Sequence, residues 1–209
     1  MKKIITSILA VTLMYSASAQ ISSGNILIGS GTDLSFSSTK LNSLEPGGMD
    51  GTSIKNNDLG FNVAGAYFVM DGLAVGLGID YTSSKLIMEA GGSEVESTTK
   101  SMVIGPMIRY YIGETNVWGQ LSYGIGTGSE SYKSGGTTDE TDDPKITAIG
   151  ISAGYALFLN DNISLNPTLG YNMITSTEKD GTFDSQGNDA DLVMKMGGIS
   201  FGVSLAIHL

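Results

Sequence analysis

Along most of this chain, apolar residues recur at every second position for about ten residues, then give way to a polar stretch. Successive side chains on a β-strand point to opposite faces, so each such run predicts a strand with one apolar wall. Eight runs align by their apolar sets. The first carries Ile26, Ile28, Leu34 and Phe36, the fourth Met102, Ile104, Ile108, Tyr110 and Ile112, and the eighth Ile199, Phe201, Val203, Leu205, Ile207 and Leu209. Their connections alternate in length. Tight turns are predicted at 70–72, 113–116 and 160–162, while long polar loops rich in Gly, Ser, Thr, Asp and Glu are predicted at 39–57, 84–98, 129–144 and 175–191. Strands of about ten residues, joined by short turns on one side and long loops on the other, are the wiring of a transmembrane β-barrel.

The second wall of each run supports closure into a narrow barrel. It reads Asp33, Asn62, Asp80, Arg109, Gln120, Ser152, Asn166, Asn172 and Ser200, interleaved with glycines such as Gly76, Gly78, Gly105, Gly124, Gly150 and Gly154. The polar face of a soluble sandwich looks into water and carries Lys and Glu, whereas this one is nearly uncharged and small. Small residues suit an eight-stranded interior, which has room for side chains and little more. The expected fold is therefore all-β, a transmembrane eight-stranded antiparallel up-and-down barrel. Tyr67 and Tyr110 fall near the short turns, and Tyr81, Tyr171 and Phe36 near the long loops, as expected of aromatic girdles at two membrane interfaces. Pro106 and Pro167 lie inside strands, where each removes a ladder hydrogen bond, so a bulge or a pairing gap is expected at both.

The beginning of the chain adds a compartment. Lys2 and Lys3 precede an apolar run, 4–14, too short to span a bilayer, and Ala17-Ser18-Ala19 supplies small residues for cleavage. Residues 1–19 are expected to be a signal peptide and 20–209 the outer-membrane barrel domain, located in the outer membrane of a Gram-negative-type cell. Loss of the leader takes the formal net charge from −10 to −12, which excludes a basic nucleic-acid surface. The chain has no cysteine, so no disulfide staples the fold.

Three stretches give the chain its resemblance to known proteins. They are Gly105-Pro106-Met107-Ile108-Arg109-Tyr110-Tyr111, Leu121-Ser122-Tyr123-Gly124-Ile125-Gly126-Thr127-Gly128, and the closing Ser200-Phe201-Gly202-Val203-Ser204-Leu205-Ala206-Ile207. With these the chain resembles the small eight-stranded outer-membrane barrels of the OmpX and OmpA-transmembrane-domain type. The last stretch looks like the assembly signal of such barrels, although Leu209 stands where members more often end in an aromatic residue. The resemblance implies a monomer embedded in outer-membrane lipid and inserted by the barrel assembly machinery.

Candidate chemistry is sparse. His208 is the only histidine, and it has inward parity in the last strand. Asp33 and Asp80 both face inward, in a barrel expected to leave no substrate cleft. Both features read as structural, so no catalysis, cofactor or metal is expected. Arg109 is the only arginine and also faces inward, where a confined charge needs acceptors. Gln120 and Asn166 lie at comparable heights, with Asp80 and Asp33 above them, and these five form the expected lumen network. Phe68, Tyr111, Trp118 and Phe158 each fall inward beside a short turn and are expected to plug the periplasmic mouth. The acidic loop residues Asp139, Glu140, Asp142 and Asp143, and Asp180, Asp184, Asp189 and Asp191, lack the spacing of a calcium loop. The expected function is a structural or surface-interaction barrel whose four exposed polar loops would meet any extracellular ligand. The alternative is a narrow porin-like channel for small solutes or ions.

Overall fold

A computed structural model describes residues 21–29, 34–42, 53–90, 93–113, 115–141, 144–183 and 189–209. The expected leader, 1–19, and Asp33 lie outside these residues. The strands are β1 (Ile26–Ile28), β2 (Leu34–Asn42), β3 (Ser53–Met70), β4 (Leu73–Ala90), β5 (Ser93–Tyr111), β6 (Val117–Ser134), β7 (Thr137–Thr141), β8 (Lys145–Tyr155), β9 (Leu157–Phe158), β10 (Ile163–Phe183) and β11 (Asp189–His208). Every pairing is antiparallel, and consecutive strands neighbour one another around the sheet. β1 bonds to β11 through Leu27↔His208 and Ile28↔Ile207 and to β3 through Ile26↔Tyr67, which closes the ring. β1 with β2 forms one stave, β8 with β9 another, and β7 belongs to a hairpin beyond the ring. The result is an eight-staved up-and-down barrel.

Period-two patterning sorts the side chains as expected. Outward positions such as Leu77, Ile108, Tyr110, Leu121, Ile151, Leu169 and Leu205 are apolar and exposed. Inward positions near the short turns are fully buried, among them Phe68, Ala74, Arg109, Trp118, Asn166 and Ala206. An apolar belt around a closed ladder is the surface of a membrane-spanning barrel, because lipid offers backbone groups no partner and the ring leaves few needing one. Phe61 and Tyr81 stack at 5.2 Å between ring centroids on this outer surface.

One expectation changes in the structure. The polar connections are largely strand rather than loop. β4 and β5 stay in register from Leu73↔Tyr110 to Ala90↔Ser93, so the expected loop 84–98 is the upper half of a β-hairpin. β6 continues the sheet through Val95↔Ser134, and β7 folds back on it around Gly135 and Gly136, both at positive φ as a type I′ turn demands. β10 and β11 extend as far as Phe183↔Asp189. These stretches read as loops because both faces are solvated above the membrane, so the apolar alternation disappears. Their Thr, Val, Ile and Tyr content still favours extended chain.

The prolines produce pairing gaps without a shift of register. Between Ile104↔Ile125 and Met107↔Ser122 the β5–β6 ladder skips Gly105 and Pro106, while both residues stay paired with β4. The β10 ladder likewise skips Asn166 and Pro167, between Leu165↔Leu157 and Thr168↔Gly154, where Ala156 separates β8 from β9. Each proline turns its missing donor toward the interrupted side.

Diagonal ion pairs tie the projecting hairpins together: Lys55 to Glu89 and Lys85 to Glu96, both at 2.8 Å. The hydrogen bond to Glu89 raises the Lys55 pKa, and the hydrogen bond from Lys85 lowers that of Glu96. The Lys55 contribution is thus present at neutral pH and lost as pH rises through its raised value. The Glu96 contribution is present above the ordinary carboxylate range and lost as pH falls through its lowered value. Both pairs are solvent-exposed, so the effects are small. Amide protection factors in the β4–β5 hairpin tip are expected to fall a few-fold on acidification through the Glu96 titration, with the barrel staves unchanged. Equal loss of protection in both regions would contradict this local assignment.

Candidate functional site

The feature with the most built character is the short-turn end of the lumen. Here β3, β5, β6, β9, β10 and β11 all bring inward residues to one level. Phe68 lies at the end of β3 and Tyr111 at the end of β5, with ring centroids 5.9 Å apart. Trp118, the second residue of β6, lies directly opposite Tyr111 in register. Phe158 closes β9 and meets the His208 imidazole at 4.8 Å. Phe68, Tyr111 and Trp118 are at most 1 % exposed and Phe158 is 7 % exposed. All four rings are thus buried at the short-turn end of the lumen, its floor.

Arg109 completes that floor. Its Cζ lies 3.6 Å from the centroid of the Trp118 ring, and its Nε donates to Gln120 Oε1 at 2.9 Å across the β5–β6 ladder. A guanidinium stacked on an indole face gains cation–π attraction that strengthens where water is excluded. Gln120 and the Trp118 ring are thus two of the partners that hold this buried cation. Space for the indole comes from Gly154, its register partner on β8. A methyl group there would collide with the Trp118 ring and lie 2.7 Å from the Pro167 carbonyl.

The expected five-residue network divides in the structure. Gln120 accepts from Arg109. Asn166 is fully buried and donates to Ser164 Oγ at 3.2 Å, and Ser164 Oγ lies 2.9 Å from His208 Nε2. Asp80 accepts a hydrogen bond from Asn62 on the neighbouring strand. It stands six residues up β4 from Ala74, the register partner of Arg109, which is about 20 Å of strand. The strands carry these groups to different heights, so shear does not bring Asp80 down to the guanidinium.

Sequence reading missed two parts of the floor. His208 stood only as an inward residue of the last strand, yet it joins Ser164 and Phe158 in a buried brace. The signal was present in the inward parity of both Ser164 and His208 beside one short turn. The chain before the first strand also contributes. Gly72 N–H donates to the Ile21 carbonyl at 2.8 Å, Ser23 N–H to Asp71 Oδ1 at 2.8 Å, and Gly24 N–H to the Phe68 carbonyl at 2.9 Å. This segment packs under the β3–β4 turn, burying Ile21 beside fully buried Leu27.

Above the floor lies a cavity of about 1290 Å³. Met107, Trp118 and Gln120 line its bottom, and Asn62, Asp80, Thr82 and Ser101 line one upper wall. Thr82 and Ser101 hydroxyls hydrogen-bond at 2.7 Å on that wall. The structure is thus a cup, filled at the short-turn end and hollow toward the projecting hairpins.

No family model and no curated protein matches the chain. Among solved structures it is similar to the outer membrane protein OprG from Pseudomonas aeruginosa, with 12% identity, a TM-score of 0.44, and coverage of 90% of this chain and 97% of that one. It is also similar to Ail, the attachment invasion locus protein of Yersinia pestis, with 14% identity, a TM-score of 0.43, and coverage of 90% and 99%. A third is Neisserial surface protein A, with 17% identity, a TM-score of 0.41, and coverage of 90% and 97%. The barrel assignment itself rests on this chain's own ladder and burial pattern.

The contact between Trp118 and Gly154 gives a direct test of the floor. Gly154→Val is expected to overpack it and cost about 1–3 kcal/mol, read as a lower urea midpoint for loss of heat-modifiable mobility. Gly198→Val, placed where an added Cβ meets nothing within 4 Å, is expected to leave that midpoint unchanged.

Proposed function

We infer that this protein is a non-catalytic outer-membrane scaffold, closed to solute flow at its short-turn end, that displays projecting β-hairpins as an interaction surface. The observation that carries this reading is the floor. Phe68, Tyr111 and Trp118, together with Arg109, Leu27 and His208, are at most 1 % exposed and lie at the short-turn end, below the hollow part of the lumen. Each large ring brings on the order of 150–250 Å² of surface, and an eight-stranded interior is only wide enough for side chains. The porin-like alternative needs a continuous wet path, and the ring layer obstructs it.

In this reading the short turns and both barrel termini face the periplasm, and the β4–β5, β6–β7 and β10–β11 hairpins face outward. Any extracellular ligand would meet these hairpins, which the barrel holds in a fixed arrangement. The remaining expected partners are outer-membrane lipid and, during insertion, the assembly machinery. The barrel acts as a monomer.

Planar-bilayer recording of the purified, refolded protein tests the reading. The wild type is expected to show no sustained conductance, and the double replacement Tyr111→Ala with Trp118→Ala is expected to produce measurable ion leakage. Stable single-channel steps from the unmodified protein would promote the channel reading instead. An epitope placed at Gly135–Gly136 is expected to be reached by antibody on intact cells, and reactivity only after lysis would reverse the orientation.

A further inference from the structure

The ring of hydrogen bonds is not uniform along its height. β1 bonds to β11 only through Leu27 and Ile28, whereas β2, the upper part of the same stave, bonds to β3 from Leu34↔Phe61 to Asn42↔Ser53. Among the described residues β2 makes no pair with β11. β1 and β2 pair with β3 in registers that differ by two residues (Ile28↔Gly65, Leu34↔Phe61), so carrying the β1–β11 register across β3 sets Leu34 level with Val203 and Asn42 level with Lys195. Most of that stretch of β11 stands apart in its burial. From Gly202 to His208 the strand alternates between covered and exposed residues, but from Val193 to Phe201 every residue is exposed on both faces. Ile199 and Phe201 are 78% and 77% exposed, while outward residues flanked by strands on both sides, such as Ile104 and Leu169, are 44% and 58% exposed. The extra exposure is that of a strand lacking a neighbour on one side.

This seam begins within the membrane belt. Phe201 pairs with Leu169, and Ile199 pairs with Tyr171 at the girdle expected near the outer interface. The cup reaches the same place, since Met194, Met196, Ser200 and Phe201 all line it. Irregular or unpaired backbone at membrane depth is tolerated where it borders a cavity, and here the unpaired edge lies along one. The walls of the cup also differ. On the β8–β10–β11 wall inward Ile146, Ile174, Met194 and Met196 form an apolar patch beside Asn172, Ser176 and Ser200, and the facing β3–β4 wall carries Asn62 and Asp80. Methionine side chains adapt to irregular apolar ligands.

We propose that the cup is a binding site for a single-chain amphiphile with an uncharged head, admitted from the outer leaflet through the β2–β11 seam. The alkyl chain lies against Ile174, Met194 and Met196, and the head meets the Asn62 and Asp80 wall. Its volume exceeds the roughly 300–1,000 Å³ of ordinary ligand pockets, while the narrow bore favours one chain over two. The lateral opening faces lipid, so its natural occupant is a lipid-phase molecule. The closed floor makes the cup a terminus for that molecule rather than a passage. This goes beyond the scaffold reading and does not depend on which partner the hairpins meet.

Trp118 is the only tryptophan and lines the bottom of the cup, which supplies an internal reporter. The protein is reconstituted in phosphatidylcholine vesicles and titrated with an alkyl maltoside brominated in its tail. Saturable quenching of Trp118 is expected, well beyond that from brominated phosphatidylcholine at equal bromine content. Replacing Met196→Asp together with Ile174→Asp is expected to raise the half-saturating concentration at least tenfold. Met196→Gln, a milder change, is expected to shift it in the same direction, with heat-modifiable mobility confirming that both variants fold. The chain has no cysteine, and Gly198 has open space for a side chain, so Gly198→Cys can be labelled uniquely with a bulky maleimide. Labelling is expected to slow the onset of quenching at least tenfold relative to the unlabelled variant. Equal quenching by the two brominated probes, or half-saturation unmoved by the Met196 and Ile174 changes, would overturn the site. An onset unaffected by the maleimide would overturn the lateral route. Channel currents in the unmodified protein would refute the scaffold reading without bearing on the quenching result.

Discussion

Everything in this structure follows from one constraint: in hydrocarbon, a backbone amide has no partner except another backbone. Each unsatisfied group costs several kcal/mol, which an isolated hairpin cannot recover from the burial of apolar side chains, because lipid is already apolar. The ladder must therefore close on itself, and closure here depends on very little chain. Three residues of β1 bridge β11 and β3. The reciprocal bonds between Ile26 and Leu209, at 2.7 and 2.9 Å, lock the first and last strands at the short-turn end. With that junction fixed, the register of each following strand is inherited from its neighbour, and inward and outward faces are decided together.

Closure also dictates where side-chain volume can go. The ring leaves a lumen with no hydrophobic driving force toward either end, so its filling is set by residue size at each level. At the short-turn end large rings meet with a guanidinium and an imidazole, and the space is consumed. Higher up, Gly78, Gly105, Gly124 and Gly150 take the inward positions, and the bore is left open. The two prolines sit at the transition between these zones. Their pairing gaps place Gly105 against the Tyr123 carbonyl and Pro167 beside Gly154 and Trp118. The interruptions of the ladder therefore coincide with the places where backbone must approach closely for the floor to fit.

The fold was legible in the sequence because a membrane barrel writes the same two-residue period into every stave. Outward sets such as Ile104, Ile108 and Tyr110 mark lipid contact directly. The reading failed at the top of the barrel, where Lys85, Thr98 and Ser131 are solvated on both faces and no alternation distinguishes strand from loop. The burial of Phe68, Tyr111, Trp118 and Phe158 beside the short turns was legible because parity and distance from a turn fix both direction and height. Partnership was less so. Asp80 and Arg109 share a wall, but pairing them requires the vertical offset between strands, which depends on register and shear rather than on any local pattern. Ser164 and His208 escaped notice for a related reason: a hydroxyl in a polar-inward series looks like any other until the register sets it beside the one imidazole.

The seam shows where the closure constraint relaxes. Continuing the β1–β11 pairing upward would set Leu34 against Val203 and complete the cylinder, and the strands on both sides are long enough to do so. β11 instead leaves its edge exposed beside the cavity, and its glycines there, Gly197 and Gly198, leave the edge without side-chain bulk. An edge in lipid far from any cavity would be strongly disfavoured, whereas an edge at the rim of a hollow lumen can be satisfied from inside. The hollow upper lumen and the open seam therefore depend on each other: a filled bore would force the strands to pair, and a fully paired ring would confine the cup to its upper mouth. By the same physics the filled floor and the closed β1–β11 junction occur together at the opposite end. The molecule is thus divided by height into a half where side chains fill the lumen and β1 joins β11, and a half where the lumen is hollow and, among the described residues, β2 and β11 do not pair.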